Sequence, residues 1–253
     1  MLEAFGQTDV GRRRKLNEDN VLVDLETNLF AVCDGMGGHN AGEVASKMAI
    51  EALEAFIQKS HREKEITWPY GLDVNLSFDG NRLKTAVKLA NKKVFKAADN
   101  REDYTGMGTT MVALLVSENV FTVGSAGDSR CYLFRDGVLK QLTKDDSWVS
   151  AAWAEGILNT EEIERHPLKN VITKAVGAKD TIEIDVLEEK FVPGDVVLLC
   201  SDGLHSMIND EAIRQAITPF PATLPEATAR LVDAANEAGG KDNVSVVLVR
   251  YTE

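Results

Sequence analysis

Apolar residues recur along this chain in two different rhythms. In "NVLVDLETNLFAVCD", residues 20–34, two short apolar runs flank a turn at Glu26 to Asn28, and the second, "LFAVC", runs straight into Asp34. In "AGEVASKMAIEALEAFIQKS" the spacing becomes helical, with Val44, Met48, Leu53 and Phe56 broadly on one side. Residues 61–80 carry charge, Trp68-Pro69 and two glycines, which predicts a connecting loop. A second helix follows in "GNRLKTAVKLANKKVFKAADN".

From Gly108 onward, β-branched and apolar runs are broken by "SEN", "GSAGD" and "RDG", the pattern of short antiparallel strands with "RDG" as a hairpin turn. Residues 147–170 are mixed in character and include "TEEIERHP", where Thr160 caps a predicted short helix that ends before Pro167. Strict alternation returns in "TIEIDVLE", and "GDVVLLCSDGLHSMI" repeats the pattern of an apolar strand running into Asp-Gly. "LPEATARLVDAANEAGG" predicts a helix closed by a glycine pair, and "KDNVSVVLVRY" a loop and last strand. The order lacks the steady alternation of a parallel βαβ fold, so an antiparallel layered α-and-β fold is expected. With no linker, composition break or repeat, residues 1–253 are taken as one domain.

Composition narrows the function classes. The formal net charge is -12, from 28 Lys plus Arg against 40 Asp plus Glu, which disfavours nucleic acid and anionic membrane as partners. The one dense basic run is "RRRK" at 12–15, long enough to place one anion. Cys33, Cys131 and Cys200 each fall in apolar, strand-like segments, in an odd number and without metal-ribbon spacing, and are expected to be buried thiols of a reducing compartment. No signal-peptide pattern and no apolar run of about 18 residues occurs, so a cytoplasmic protein is expected.

The chemistry is carried by acidic residues at strand ends: "AVCDG" at 31–35, "LLCSDG" at 198–203 and "GGKDN" at 239–243, together with "NED" at 17–19. Each alone reads equally as an Asx turn. Together they are candidates for converging oxygen ligands, because hard divalent cations want several such donors and strand rims bring distant residues together. Two ions roughly 4 Å apart would share and acidify a water and hold a phosphoryl group in line. Asp34 would be the natural bridge, Gly35 could present its carbonyl, and glycines at 37, 38 and 42 permit turns that a side chain would obstruct. Without a histidine cluster the set favours Mg²⁺ or Mn²⁺ over zinc.

Among other candidates, one of Arg12, Arg13 and Arg14 could fork onto phosphate oxygens, the alternative being a solvated basic face. "AGDSR" at 126–130 reads as a structural Asp128–Arg130 pair. His61 is expected at the surface, His205 as packing, helix capping or a partner of the Asp202 turn, and His39 and His166 as weak acid candidates. The dinucleotide fingerprint fails at Asn40, there is no Walker motif, and Ser46, Ser129 and Ser201 lack the nucleophile-elbow setting, so covalent hydrolysis is not indicated.

"RKLNEDN", "VCDGMGGHNAGEVAS", "GTT", "GDSR", "SDGL" and "GGKDNVSVVLV", in that order between about residues 5 and 250, resemble the PP2C (PPM) family of metal-dependent serine/threonine protein phosphatases in its bacterial form. The resemblance implies an α+β layered sandwich, two mostly antiparallel β-sheets flanked by α-helices, with a dinuclear Mn²⁺ or Mg²⁺ centre at one rim. It makes Asp19, Asp34, Asp202 and Asp242 the metal-holding carboxylates, with Asp34 bridging and Gly35 giving its carbonyl. Glu18 supports the water network, Arg14 binds the substrate phosphate, and Asp145 with Asp202 holds a third, weaker ion. It further implies direct attack of a metal-bridging water on phosphoserine or phosphothreonine without a phosphoenzyme, phosphoprotein substrates, an opposing serine/threonine kinase and a monomeric enzyme.

The chain departs from the family pattern at Asp146, where bacterial members usually have histidine, and has Met36 where some eukaryotic members place a histidine acid. Residues 147–170 correspond to the family's flap, with Trp148 and Trp153 expected as packing residues. The competing classes are another Mn²⁺- or Mg²⁺-dependent phosphohydrolase of small esters and a non-catalytic signalling module. Loss of the metal carboxylates would mark the latter, and every expected position is filled.

Overall fold

The computed structural model describes residues 1–37, 41–63, 67–159, 162, 165–218 and 223–252. The strands are β1 (Leu2–Asp9), β2 (Asp19–Asp24), β3 (Leu29–Met36), β4 (Gly108–Thr109), β5 (Met111–Ser117), β6 (Val120–Ala126), β7 (Arg130–Arg135), β8 (Val138–Gln141), β9 (Asp185–Lys190), β10 (Val196–Cys200) and β11 (Val244–Tyr251). The helices are α1 (Ala41–Arg62), α2 (Phe78–Asn100), α3 (Trp148–Ala154), α4 (Asp202–His205), α5 (Asp210–Ile217) and α6 (Leu224–Glu237). One sheet runs β1-β11-β10-β7-β8 and the other β2-β3-β5-β6-β9, with β4 paired to the end of β3. Every pairing is antiparallel, as the closely spaced strands lead one to expect.

The continuous apolar runs are explained by burial on both faces of each sheet. In β3, Leu29, Ala31 and Cys33 point to α1 and α2, while Phe30 and Val32 point to the other sheet. In β10, Val196, Leu198 and Cys200 face α4 to α6, while Val197 and Leu199 meet the opposite sheet. Strand side chains alternate between faces, so one run of five apolar residues serves two cores. All three cysteines are free and buried, and burial pushes the Cys200 thiol up to about 12.

The seam of α1 differs in detail from the expected stripe. Ala41, Ala45, Ala49, Leu53 and Ile57 form the buried line, and Val44, Met48 and Phe56 flank it. The small alanines let the helix backbone lie close to the sheet, which a line of larger residues would hold off. Truncating the fully buried Leu53 to alanine would cost about 2–5 kcal/mol.

Several elements differ from the sequence reading. β1 was not expected, because Gly6 and polar residues blur its alternation, yet it pairs with β11 along its whole length. α3 and α5 are too short for periodicity to reveal; each is started by a cap, Ser147 accepting from Ser150 N and Asn209 from Ala212 N. α2 begins at Phe78 because Ser77 caps it. β9 starts at Asp185 rather than at Thr181: Ile182 and Ile184 alternate because they are buried beside α2, not because they pair. The short helix expected after Thr160 lies outside the described residues.

Candidate metal centre

At one end of the sandwich the two sheets bring their acidic residues together. Asp19, first residue of β2, stands directly opposite Asp34 on β3. β3 does not stop at Asp34 as expected; Gly35 and Met36 continue it by pairing with Thr109 and Gly108. From the other sheet, Ser201 N–H donates to Ser245 O at 3.0 Å, and Asp202 and Asp242 flank this junction in sequence.

The Asp34 peptide is held on both sides by the "GTT" segment. Thr110 N–H and Thr109 Oγ1 donate to Asp34 O, each at 2.8 Å, and Asp34 N–H donates to Thr110 Oγ1 at 3.0 Å. Thr110 Oγ1 also shares a 2.7 Å hydrogen bond with Ser129 Oγ. The glycines at 35 and 42 are required by close approach. A Cβ on Gly35 would lie 2.1 Å from Gly42 O and 2.6 Å from Glu18 O, and one on Gly42 would lie 2.4 Å from Glu18 Oε1. This packing fixes Glu18, whose carboxylate accepts from Gly42 N–H. Gly38 and His39 lie outside the described residues.

Asp19 is set by hydroxyls. Ser201 Oγ donates to Asp19 Oδ2 at 2.7 Å, and Ser245 also hydrogen-bonds this carboxyl. Ser245 Oγ in turn contacts Thr8 Oγ1 at 2.7 Å, which accepts from Asn17 Nδ2 at 2.8 Å. Ser201 sits at the N-cap of α4 without capping it, because its oxygen is committed to Asp19 and to Ser245 N–H.

The loop before β2 is tied to the loop before β11. Gly11, at φ +79°, has its backbone against Asp242 O, where a Cβ would come within 2.2 Å. Arg12 and Arg13 N–H both donate to Gly240 O at 2.8 and 3.1 Å. Asn243 accepts from Glu18 N–H and donates to Val10 O and Leu16 O. Of the three arginines, Arg14 is the one aimed at the centre, its Nη2 lying 2.7 Å from Asp242 Oδ2. That hydrogen bond raises the Arg14 guanidinium further above its usual range.

One reading of the neighbouring acids needs correction. Arg130 does not pair with Asp128; it forks onto Asp145 at 2.7–3.2 Å and donates to Tyr132 Oη at 2.9 Å. Gln141 Nε2 also donates to Asp145 at 3.1 Å, so three N–H groups face the carboxylate expected to share an ion with Asp202. Asp128 is one of the acids whose charge acts on Asp34, the charge of Asp202 acts on it in turn, and its side chain makes no ion pair among the described residues. Asp128, Arg130, Asp145, Lys169, Asp202 and His205 border a cavity of about 480 Å³.

The histidines divide clearly. His205 Nε2 lies 3.0 Å from Asp128 O, so this nitrogen carries the proton, and burial drives the imidazole down to about 4 and keeps it neutral. His166 stacks on Trp148 with ring centroids 4.7 Å apart, and its Nδ1 accepts from Leu168 N–H. Trp148 therefore packs as expected, whereas Trp153 is 54% exposed. Asp146, in the position usual for histidine, accepts from Gly127 N–H at 3.1 Å and pairs with Lys174 at 2.9 Å, tying the base of the flap to the loop that carries Asp128.

Crowding of like charge dominates the electrostatics. Burial, then neighbouring carboxylates, pushes Asp34 well above the usual range, Asp19 to about 7 and Asp128 to about 7. Asp202 rises to about 6 by burial and the charge of Asp242, and its carboxyl is in hydrogen-bond contact with that of Asp34. Burial also raises Glu18. Asp19 Oδ1 and Asp202 Oδ1 are buried with no hydrogen-bond partner among the described residues, the expensive state for an acidic oxygen. Among the described residues no three His, Cys, Asp or Glu side chains close around a single point, and Arg14 engages Asp242. Orphaned carboxylate oxygens, hard donors only and mutual repulsion fit a site for divalent cations such as Mg²⁺ or Mn²⁺.

Sequence reasoning picked out Asp19, Asp34, Asp202, Asp242, Glu18 and Arg14, and the fold brings all six to one rim. It missed the supporting roles of Thr109, Thr110, Ser201, Ser245 and Asn243, although "GTT", "SDG" and "KDN" already stood out as motifs.

A sequence model described as Protein phosphatase 2C matches residues 10–237. The serine/threonine phosphatase Stp of Listeria innocua is 35% identical over 255 residues, covering 98% of this chain and 95% of that protein. The crystal structure of the Mycobacterium tuberculosis serine/threonine phosphatase PstP/Ppp superposes with a TM-score of 0.86 at 36% identity, covering 100% of this chain and 99% of that one. A PstP catalytic domain solved with two manganese ions gives a TM-score of 0.84 at 35% identity, with 100% and 99% coverage.

Proposed function

The chain belongs to the protein phosphatase 2C family, and on that premise we propose that it hydrolyses phosphoserine and phosphothreonine in proteins at the rim where its two sheets meet. The observation that carries this reading is the convergence of Asp19 and Asp34 from one sheet with Asp202 and Asp242 from the other, with two buried oxygens left unpartnered.

Asp19, Asp34, Asp202 and Asp242, with the Gly35 carbonyl, would hold two Mn²⁺ or Mg²⁺ ions, and Asp128 with Asp202 is better placed than Asp145 for a third. When bound, such ions supply an acidified water and positive charge against the phosphoryl oxygens. Arg14 adds a planar fork for the phosphate, reached from the same position that now contacts Asp242. Glu18, locked between Gly35 and Gly42, accepts hydrogen bonds from the water network. Ser46, Ser129 and Ser201 are each committed to hydrogen bonds with Glu18 O, Thr110 and Asp19, which fits direct attack by water without a phosphoenzyme. His39 is a further candidate for protonating the leaving group.

The substrates are phosphoproteins, with a serine/threonine kinase in opposition and no nucleic acid partner. The enzyme acts as a monomer in the cytoplasm, a reducing compartment that its three free thiols suit, and no described helix is long and apolar enough to cross a membrane. The test is phosphate release from a phosphothreonine peptide with Mn²⁺ and with chelator. Release only with Mn²⁺ is expected. Release that ignores chelation, or none in either condition despite Mn²⁺ binding, would overturn the reading.

A further inference from the structure

We infer that Arg12, Arg13 and Lys15, with Lys241 beside them, form a docking lip for anionic side chains that flank the scissile phosphoresidue. This inference rests on the phosphatase reading of the adjacent centre and adds to it a substrate class: phosphoproteins whose target residue has a second phosphate or carboxylates close in sequence.

The chain carries a net charge of -12, so its general field repels an acidic substrate. Against that background residues 12–15 are four consecutive cations, all exposed. Arg14 is engaged by Asp242. Arg12, Arg13 and Lys15 have neither an ion pair nor a side-chain hydrogen bond among the described residues, whereas most lysines of α2, including Lys84, Lys88 and Lys92, are matched by acids. A cluster left unneutralised in an acidic protein concentrates its field where it stands.

Its position is built rather than loose. Gly240 O receives both the Arg12 and Arg13 N–H groups, Gly11 lies against Asp242, and Asn243 holds Val10 O and Leu16 O, so both ends of the run are fastened to the loop that carries Lys241 and Asp242. Successive residues advance at most about 3.6 Å, so the backbones of Arg12, Arg13 and Lys15 stand within roughly a Debye length of that of Arg14. On the other side of the carboxylates lies the cavity between Asp128 and Lys169. A peptide crossing the centre therefore meets exposed, unmatched cations on one flank and a hollow of mixed charge, with Arg130 and Lys169 beside its acids, on the other. The four side chains together suit an anion next to the reacting phosphate.

The test compares phosphothreonine peptides with neutral flanks, with glutamates on the N-terminal or the C-terminal side, and with a neighbouring phosphoserine, in Mn²⁺ at low and high salt. The variant is Arg12→Gln/Arg13→Gln/Lys15→Gln, which leaves the backbone anchors in place. An anionic flank on one side is expected to raise kcat/KM about tenfold at low salt, more for phosphate than for carboxylate. Both salt and the triple substitution should erase that gain, with p-nitrophenyl phosphate turnover and melting temperature unchanged. Equal rates for neutral and anionic flanks, or a preference that survives the triple substitution, would overturn the lip while intact p-nitrophenyl phosphate turnover left the phosphatase reading standing. A wild-type protein inactive on every phosphoester would overturn both.

Discussion

Ser201 Oγ donates a 2.7 Å hydrogen bond to Asp19 Oδ2, joining the end of β10 in one sheet to the start of β2 in the other across 182 positions of sequence. The bond spends the hydroxyl that would otherwise cap α4 and leaves Asp19 Oδ1 as the free, buried oxygen of that carboxyl. A group that orients a metal-holding carboxylate in this way acts on affinity before it acts on rate.

Ser201→Ala should therefore lower Mn²⁺ affinity by about ten- to a hundredfold, measured by titration calorimetry, with the helices intact by circular dichroism. Ser245→Ala should do the same more weakly, because Ser201 still holds Asp19. Unchanged affinity in both variants would show that Asp19 is oriented by the backbone alone.

Asp34→Asn removes an acid pushed well above its usual range by burial and by Asp19, Asp202, Asp128 and Asp242. Turnover should fall at least about a thousandfold, an estimate from the loss of a charged group at the reacting centre. In chelator at pH 8 the variant should be more stable than the wild type by about 1–3 kcal/mol, since a buried acid whose ionisation is opposed by burial and by like charges has gone. Steady-state assays with Mn²⁺ read the first effect and urea unfolding in chelator the second.

The two acids near Asp202 should separate experimentally. Asp128→Asn should reduce Mn²⁺ binding at high metal concentration and leave the fold unchanged. Asp145→Asn weakens a charged fork onto the mostly buried Arg130 and should cost about 2–4 kcal/mol, seen as a lower melting temperature. The reverse pattern would restore Asp145 as the third-ion ligand.

Protonation gives a pH prediction with a definite sign. Folding raises Asp19 and Asp128 from 3.8 to about 7 and Asp202 to about 6, which outweighs the single proton lost by lowering His205 to about 4, so between pH 5 and 7 the folded state holds more protons than the unfolded one. Stability of the metal-free protein should then fall as pH rises through that window, opposite to the behaviour of a salt-bridged carboxylate. Mn²⁺ should flatten the slope and release protons as it binds. A metal-free melting temperature that rises from pH 5 to 7 would contradict this.

Arg14→Ala should raise KM and lower kcat/KM by about ten- to a hundredfold, the size of a lost charged hydrogen bond to phosphate. Mn²⁺ affinity should hold or improve, because Asp242 Oδ2 is released. Steady-state kinetics beside calorimetry separates the two effects, and a loss of Mn²⁺ binding as large as the loss of kcat/KM would place Arg14 in the metal site instead.

Much of this molecule is legible along the chain. Runs such as "LFAVC" and "VVLLC" announce strands buried on both faces, and the acids that follow them are where the centre forms. Long helices declare themselves because periodicity needs several turns to register. α3 and α5, at 7 and 8 residues, do not offer enough turns, and β1 is blurred by Gly6. Ile182 and Ile184 show the converse, alternation produced by helix packing rather than by strand pairing.

Residue type and spacing by themselves determined that this protein has an antiparallel layered fold and hard oxygen donors at strand ends, because periodicity and donor chemistry are local properties. Only the tertiary structure decided which partners those donors meet: Arg130 with Asp145 instead of Asp128, Ser201 with Asp19 instead of its own helix, Arg14 with Asp242 while Arg12, Arg13 and Lys15 stay unpaired among the described residues. Each of those choices follows from distances across the two sheets, and charge and hydrogen bonding act over a few ångströms of space whatever the separation in sequence.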